Sequence, residues 1–169
     1  MKEVKRDIWD AYDNDPACVV CITTNVFVKK NGQAVMGRGT AAQAAKRWPS
    51  LPRLLGNRIR ANGNVVQVIA PRLLAFPVKP VSGISDGQNV VRHTQHRFPK
   101  GSTVPGWAMK ADPDIIRESL AQLARIRQHH GRERVFLPRP GCGAGELDWE
   151  TQVKPLCQQY GNWLHITHL

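Results

Sequence analysis

Acidic residues are almost missing from the centre of this chain. Between Pro16 and Ala111 one carboxylate, Asp86, stands against fourteen Lys and Arg, and the other twelve acids lie toward the two ends. Aromatic residues make up 7% and cysteines number four, too few for a disulfide-built secreted scaffold. No apolar run nears the ~20 residues that cross a bilayer. The charged opening Met1-Lys2-Glu3-Val4-Lys5-Arg6-Asp7 leads into no apolar signal core, so a cytoplasmic protein without membrane contact is expected. Internal repeats and low-complexity tracts are absent as well, which excludes solenoids.

What remains is a 169-residue chain with 41% hydrophobic residues, enough for one packed domain and too short for two ordinary ones. A monomer is expected. Its net charge of +11, concentrated in the middle, favours an anionic partner: nucleic acid, a nucleotide or a phosphorylated metabolite. Cys18 and Cys21 have the spacing of zinc and redox pairs, but they sit in the apolar run Cys18 to Ile22, which reads as a buried strand. Positions three apart on a strand face opposite sides, so the two thiols cannot share a metal. Neither a metal nor a cofactor is expected.

Along the chain, Glu3 to Ile8 reads as an opening strand and Asp10 to Pro16 as an Asp- and Asn-rich turn. Cys18 to Thr24 is the first strong strand. Thr40 can cap a helix that Pro49 stops; Ser50 can cap another, with Pro52 in its first turn and Gly63 beyond its end. Strands follow at Val65 to Ala70 and Leu73 to Val78. Residues Pro80 to Ala111 form a long basic loop without clear periodicity, the kind that is functional or mobile. An amphipathic helix over Asp114 to His130, a strand at Arg134 to Pro138, a helix over Asp148 to Gln159 and a strand at Trp163 to Leu169 complete the pattern. Strands alternating with helices predict an α/β domain with a largely parallel sheet.

Ligands of such sheets bind beyond the C-terminal strand ends. Three unusual segments fall there. Asn25 follows the first strong strand and leads to Gly37-Arg38-Gly39-Thr40 at a helix start. Phe76-Pro77-Val78-Lys79 ends another strand, and Gly141-Cys142-Gly143-Ala144-Gly145 follows a third. Glycine loops at helix N-termini present backbone N–H groups to phosphates. Neither loop is a Walker motif or a dinucleotide fingerprint, and two together imply a site for a diphosphate.

These strings, in this order, resemble a macrodomain, the ADP-ribose-binding three-layer α/β/α module with a mixed, largely parallel central sheet. The resemblance rests on Lys5-Arg6-Asp7-Ile8, Thr23-Thr24-Asn25, Val35 to Ala41, Phe76-Pro77-Val78-Lys79 and Leu137 to Trp149, and covers almost the whole chain. It is most similar to the branch holding bacterial DNA ADP-ribosyl glycohydrolase antitoxins and the terminal ADP-ribose protein glycohydrolase of animals. The resemblance implies that Asp7 accepts from the adenine amino group and that Ile8 offers its backbone N–H to the ring. It further implies that Asn25 orients the distal ribose and that the loops at Gly37 to Thr40 and Gly141 to Gly145 wrap the diphosphate. Lys79 is implied as the catalytic residue, with Asn25 beside it. A nucleophilic lysine must be neutral part of the time, which burial and neighbouring cations promote.

One departure stands out: the animal enzymes carry a catalytic aspartate where this chain has Gly145, followed by Glu146, a substitute acid/base candidate. The chain also lacks the extra domain with which the antitoxins hold a toxin, so toxin neutralisation by direct binding is not expected. In the basic loop, Arg92, Arg97 and Lys100 with Trp107 suit single-stranded DNA, cations for phosphates and an aromatic for a base. Three readings stay open: a glycohydrolase releasing ADP-ribose from DNA or protein, a non-catalytic ADP-ribose reader, and a hydrolase or phosphatase of a small derivative such as ADP-ribose 1″-phosphate.

Overall fold

The strand β2 (Val19–Thr24) is buried along almost its whole length because its β-branched and apolar side chains are covered on both faces. In the computed structural model, which describes residues 1–131 and 134–169, β2 pairs in parallel with β4 (Leu73–Pro77) on one side and β7 (Val135–Pro138) on the other. β8 (Leu164–His168) continues the parallel sheet from β7, and β1 (Lys2–Lys5) closes that edge. At the other edge β3 (Gln67–Ala70) runs antiparallel to β4, giving the order β1-β8-β7-β2-β4-β3.

Alternation along β2 assigns its side chains to two cores. Cys18, Val20 and Ile22 pack with α1 (Ile8–Asn14), α2 (Gly39–Arg47) and α3 (Leu51–Asn62). Val19 and Cys21 pack on the opposite face with α4 (Pro113–His130) and α5 (Lys154–Gln158). The two thiols therefore stand on opposite faces of the sheet, as their spacing predicts. Burial pushes both up, Cys21 the further. The result is a three-layer α/β/α domain. No helix of the described residues is long and apolar enough to cross a membrane.

Pro52 in the first turn and Gly63 beyond the end bound α3 as expected, and Ser50 stands at the N-cap position but its side chain makes no capping hydrogen bond; Gly63 sits at φ +79, a conformation glycine adopts freely. Four expectations need correction. The Asp- and Asn-rich segment is not a turn but α1, because the Asp7 carboxylate caps it, accepting from the Trp9 N–H at 2.7 Å, and Ile8, Trp9 and Ala11 bury its inner face. The opening strand accordingly ends at Lys5. Thr40 is not the cap of α2: Arg38 holds that position, and the Thr40 hydroxyl instead accepts from the Thr23 N–H at 3.4 Å. The expected helix over 148–159 is split into a π-helical turn at Trp149–Val153 and the short α5.

Residues 80–111 are also more organised than a loop. They hold the ribbon β5 (Ser82–Ile84) and β6 (Thr103–Pro105), 3₁₀ turns at Arg92–Arg97 and Gly106–Ala108, and a core of Val90, Val104, Ala108 and Met109 backed by Phe98 and Trp107. Elements of three to six residues leave too little periodicity for the sequence to reveal.

Candidate functional site

Strands β2, β4 and β7 run parallel, so Thr24, Pro77 and Pro138 end on one edge of the sheet. A cavity of about 370 Å³ opens there, within the size range of small-molecule sites. Asn25, Gly37, Arg38, Gly39, Thr40, Lys79, Trp107, Gly141, Gly143, Ala144 and Gly145 all line it, together with His93 and Arg139.

The first glycine loop enters α2 without a side-chain cap, so the earliest N–H groups of that helix have no intrahelical acceptor. Gly39 stands at φ +57, and Gly37 has open space where a side chain would be. This arrangement presents backbone donors and the positive end of a helix to an anion. The second loop closes on itself: the Leu147 N–H donates to the Gly141 carbonyl and the Glu146 N–H to that of Gly143, each at 3.0 Å. A Cβ at Gly145 would fall 2.4 Å from the Gly141 oxygen and 2.5 Å from the Ala111 Cβ. Position 145 thus has no room for a side chain, so the glycine is a packing requirement.

Lys79 leaves the end of β4 and is 6% exposed. Its Nζ donates to the carbonyls of Trp107 and Ala144, both at 3.2 Å. Burial lowers its pKa to about 8, with Arg38 adding to the effect and Glu146 opposing it. A neutral amine has two N–H donors and one lone pair. Two carbonyl partners satisfy both donors and leave the lone pair free.

Asn25 is held by its own loop: its Nδ2 donates to the Val35 carbonyl at 3.2 Å and its Oδ1 accepts from the Phe27 N–H at 3.0 Å. One amide hydrogen and one oxygen lone pair remain. The next residue, Val26, adopts φ +51, a left-handed conformation costly for a β-branched side chain. Glu146 is the second non-glycine at positive φ, +60. Its Oε2 accepts from the Arg92 N–H at 2.8 Å, while its Oε1 is buried without a hydrogen-bond partner. The carboxylate thereby ties the 80–111 segment to the second glycine loop.

Trp107 joins the cavity wall, and the Arg97 guanidinium lies over its ring at 5.4 Å. Arg92, Arg97 and Lys100 are exposed and outside the wall. Three expected residues are likewise not brought to the cavity: Asp7, Ile8 and Cys142. Asp7 and Ile8 follow the end of β1, on the same sheet edge but with two strands, β8 and β7, between β1 and β2. Cys142 packs into the α4–α5 core, its thiol raised to about 11 by burial. His93 and Arg139 carried no sequence assignment. His93 also lines an adjoining cleft with Arg38 and Glu146. Arg139 was visible between two prolines at a strand end, and much of its role is structural, since it pairs with Glu3 at 3.0 Å and stacks on Trp149.

No protein-family model matches the sequence, and no curated protein does. Solved structures do match in fold, and two of them are macrodomains over nearly their whole length: this chain has the macrodomain fold. The macrodomain of Mycobacterium tuberculosis DarG is 18% identical with a TM-score of 0.62, covering 98% of this chain and 95% of that one. The macrodomain of Thermus aquaticus DarG is 18% identical with a TM-score of 0.62, covering 99% and 97%. Thermosipho africanus DarTG, solved in complex with ADP-ribose, is 15% identical with a TM-score of 0.65; the match covers 98% of this chain but 40% of that longer one.

Proposed function

We propose that this domain binds ADP-ribose across the two glycine loops and is a glycohydrolase that releases ADP-ribose from DNA or protein. The observation that carries the reading is Lys79, a buried amine with a lowered pKa that lines the cleft between the two glycine loops and donates to the Trp107 and Ala144 carbonyls. The likeness in fold to macrodomains and to part of DarTG, which was solved with ADP-ribose, supports the choice of ligand. In this reading the diphosphate lies along the start of α2 and the Gly141–Gly145 loop. Adenine reaches toward Asp7 and Ile8, and Asn25 meets the distal ribose with its remaining amide hydrogen.

The neutral amine of Lys79 attacks the anomeric carbon of that ribose. The bond to the base nitrogen or carboxylate oxygen breaks and its electron pair leaves with that atom; the ammonium formed on Lys79 gives up one proton, which a released base nitrogen takes up through solvent and which passes to solvent when the leaving group is a carboxylate. Water then cleaves the lysine adduct, freeing ADP-ribose and restoring the amine. Trp107 with Arg97 over its ring gives a stacking surface at the cleft for a flanking base, with Arg92 and Lys100 available to phosphates.

A non-catalytic reader is the second reading, and Gly145 favours it, because position 145 cannot hold an acid to assist the leaving group. A panel of ADP-ribosylated oligonucleotide, ADP-ribosylated protein and ADP-ribose 1″-phosphate separates these readings. Release of ADP-ribose from either polymer, lost in Lys79→Ala, supports the glycohydrolase. Binding without release from any member supports the reader, and turnover of the phosphate alone supports the small-derivative hydrolase.

A further inference from the structure

Outside the cleft wall, the helical layer of α1–α3 carries a charge cluster whose side chains do not line the cleft. No acidic residue occurs between Pro16 and Ser85. Within that stretch the segment Val28 to Ala34 folds back on itself through a bridge between those two residues and lies along α3. Gly56 makes this docking close: a Cβ there would sit 2.0 Å from the Gly32 oxygen. The Ala34 N–H also donates to the Pro52 carbonyl at 2.8 Å.

Arg53 and Arg60 flank Gly56 on the same side of α3, at the three- and four-residue spacings that share a helix face. Both reach to the turn. Their Nη1 atoms lie 3.5 and 3.3 Å from the position a Cβ at Gly32 would take, so they stand within 6.8 Å of each other, the two distances laid end to end. The Arg60 Nη2 donates to the Lys29 carbonyl at 3.4 Å, which adds Lys29 and Lys30 to the same tip. All four side chains belong to exposed residues, and no described carboxylate pairs with any of them. Clustered like charges repel, and an anionic partner removes that repulsion.

The accompanying surface narrows the partner. The hairpin and α3 contain no aromatic residue, and Leu54 is the one large apolar side chain exposed on α3. A base-stacking platform needs aromatics, and a membrane-inserted helix needs an apolar stripe. Arg forks with flexible lysines and nothing to read a base suit phosphodiester oxygens. We propose that Lys29, Lys30, Arg53 and Arg60 form a docking surface for the backbone of double-stranded nucleic acid, read without sequence preference and separate from the cleft. The surface does not depend on turnover or on ADP-ribose binding.

The test uses the full chain and an unmodified, fluorescein-labelled 20-base-pair DNA duplex, titrated by anisotropy between 50 and 200 mM NaCl. Four phosphate contacts give a slope of log K against log salt of about −3.6, roughly a 150-fold loss across that range. Arg53→Gln with Arg60→Gln halves the slope to about −1.8. Lys29→Gln with Lys30→Gln does the same and leaves the Arg60 bond to the Lys29 backbone in place. Arg117→Gln with Arg125→Gln, an equal charge change on α4 across the sheet, leaves the slope unchanged. The proposal is overturned if the α4 pair lowers the slope as much, because net charge is then responsible. It also fails if free ADP-ribose competes the duplex away, which would locate the contact in the cleft. Phosphatidylserine vesicles binding through these residues while the duplex does not would likewise overturn it.

Discussion

Titrating Lys79 is the sharpest test of the cleft chemistry. With a pKa of about 8, roughly a quarter of the side chains are neutral at pH 7.5, against about 0.1% for an ordinary lysine. Burial therefore supplies about two orders of magnitude in reactive amine before any contact with substrate. The rate of ADP-ribose release, measured in single-turnover assays on an ADP-ribosylated oligonucleotide, should rise tenfold per pH unit below pH 7 and level off above about 8.5. Lys79→Arg should lose on the order of 10³-fold or more, because guanidinium stays protonated. ADP-ribose affinity by calorimetry should change within a few-fold. Stability gives an independent readout with its own sign. The folded pKa of Lys79 lies below its unfolded value, so at this group the unfolded chain binds more protons between about pH 8 and 10.5 and its contribution to stability rises through that window, whereas the thiols raised by burial contribute the opposite slope above about pH 8.5. The cost of burying the charge, about 3 kcal/mol below pH 8, is relieved in Lys79→Met, less about 1–2 kcal/mol for two carbonyls left without a donor. The thiols are common to both proteins and cancel in the difference, so the stability gap between wild type and Lys79→Met, read from denaturant melts, should move by about 2–3 kcal/mol in favour of wild type from pH 7 to pH 10. A flat pH–rate profile together with a gap between wild type and Lys79→Met that does not change from pH 7 to pH 10 would refute the buried-amine argument.

Three further outcomes follow from the geometry. Asp7→Ala should weaken ADP-ribose binding by about 1–3 kcal/mol and cost about 1 kcal/mol of stability through the lost cap on α1; Asp7→Ser, which can keep the cap, should show only the binding loss in calorimetry and melting. Gly145→Asp, the residue type the animal enzymes carry there, should destabilise the fold by more than about 3 kcal/mol in urea melts, since its Cβ meets backbone at 2.4 Å; a stable and more active variant would contradict the packing argument. Neutralising Arg92, Arg97 and Lys100 together should flatten the salt dependence of ADP-ribosylated single-stranded DNA binding and leave that of free ADP-ribose unchanged.

What the sequence discloses depends on how local the determinant is. Cys18 to Thr24 announces a buried strand through its own side chains, and Ser50, Pro52 and Gly63 mark a helix within a dozen residues. The glycine loops were legible for the same reason, because a glycine-rich strand-to-helix turn is a local signal. The environment of Lys79 is not local: its carbonyl partners lie 28 and 65 residues away in the chain. The helix at Ile8 was hidden because tertiary burial of Trp9 and Ala11 overrides an Asp- and Asn-rich composition that favours turns. The ribbon and core inside residues 80–111 were hidden because no element there is long enough to show a period.

The two demands on this cleft conflict, and the geometry shows which effect can satisfy both. Holding a diphosphate calls for positive charge, which Arg38 and the start of α2 supply. Positive charge also lowers the pKa of a neighbouring lysine, which suggests that one set of cations could bind the ligand and ready the nucleophile together. A bound diphosphate cancels that help, because its own charge favours the ammonium. Glu146 already pushes in the same direction. Desolvation is the cause that persists when an anion arrives, and it is the largest one acting on Lys79. A ligand that covers the cleft removes more water from the amine and strengthens it. In the proposed function, the seating of Lys79 between the Trp107 and Ala144 carbonyls is therefore what keeps a fraction of its amine neutral beside a bound anion. Trp107 belongs to the segment that Glu146 ties to the second glycine loop, so the residue that opposes deprotonation by charge also secures the burial that favours it.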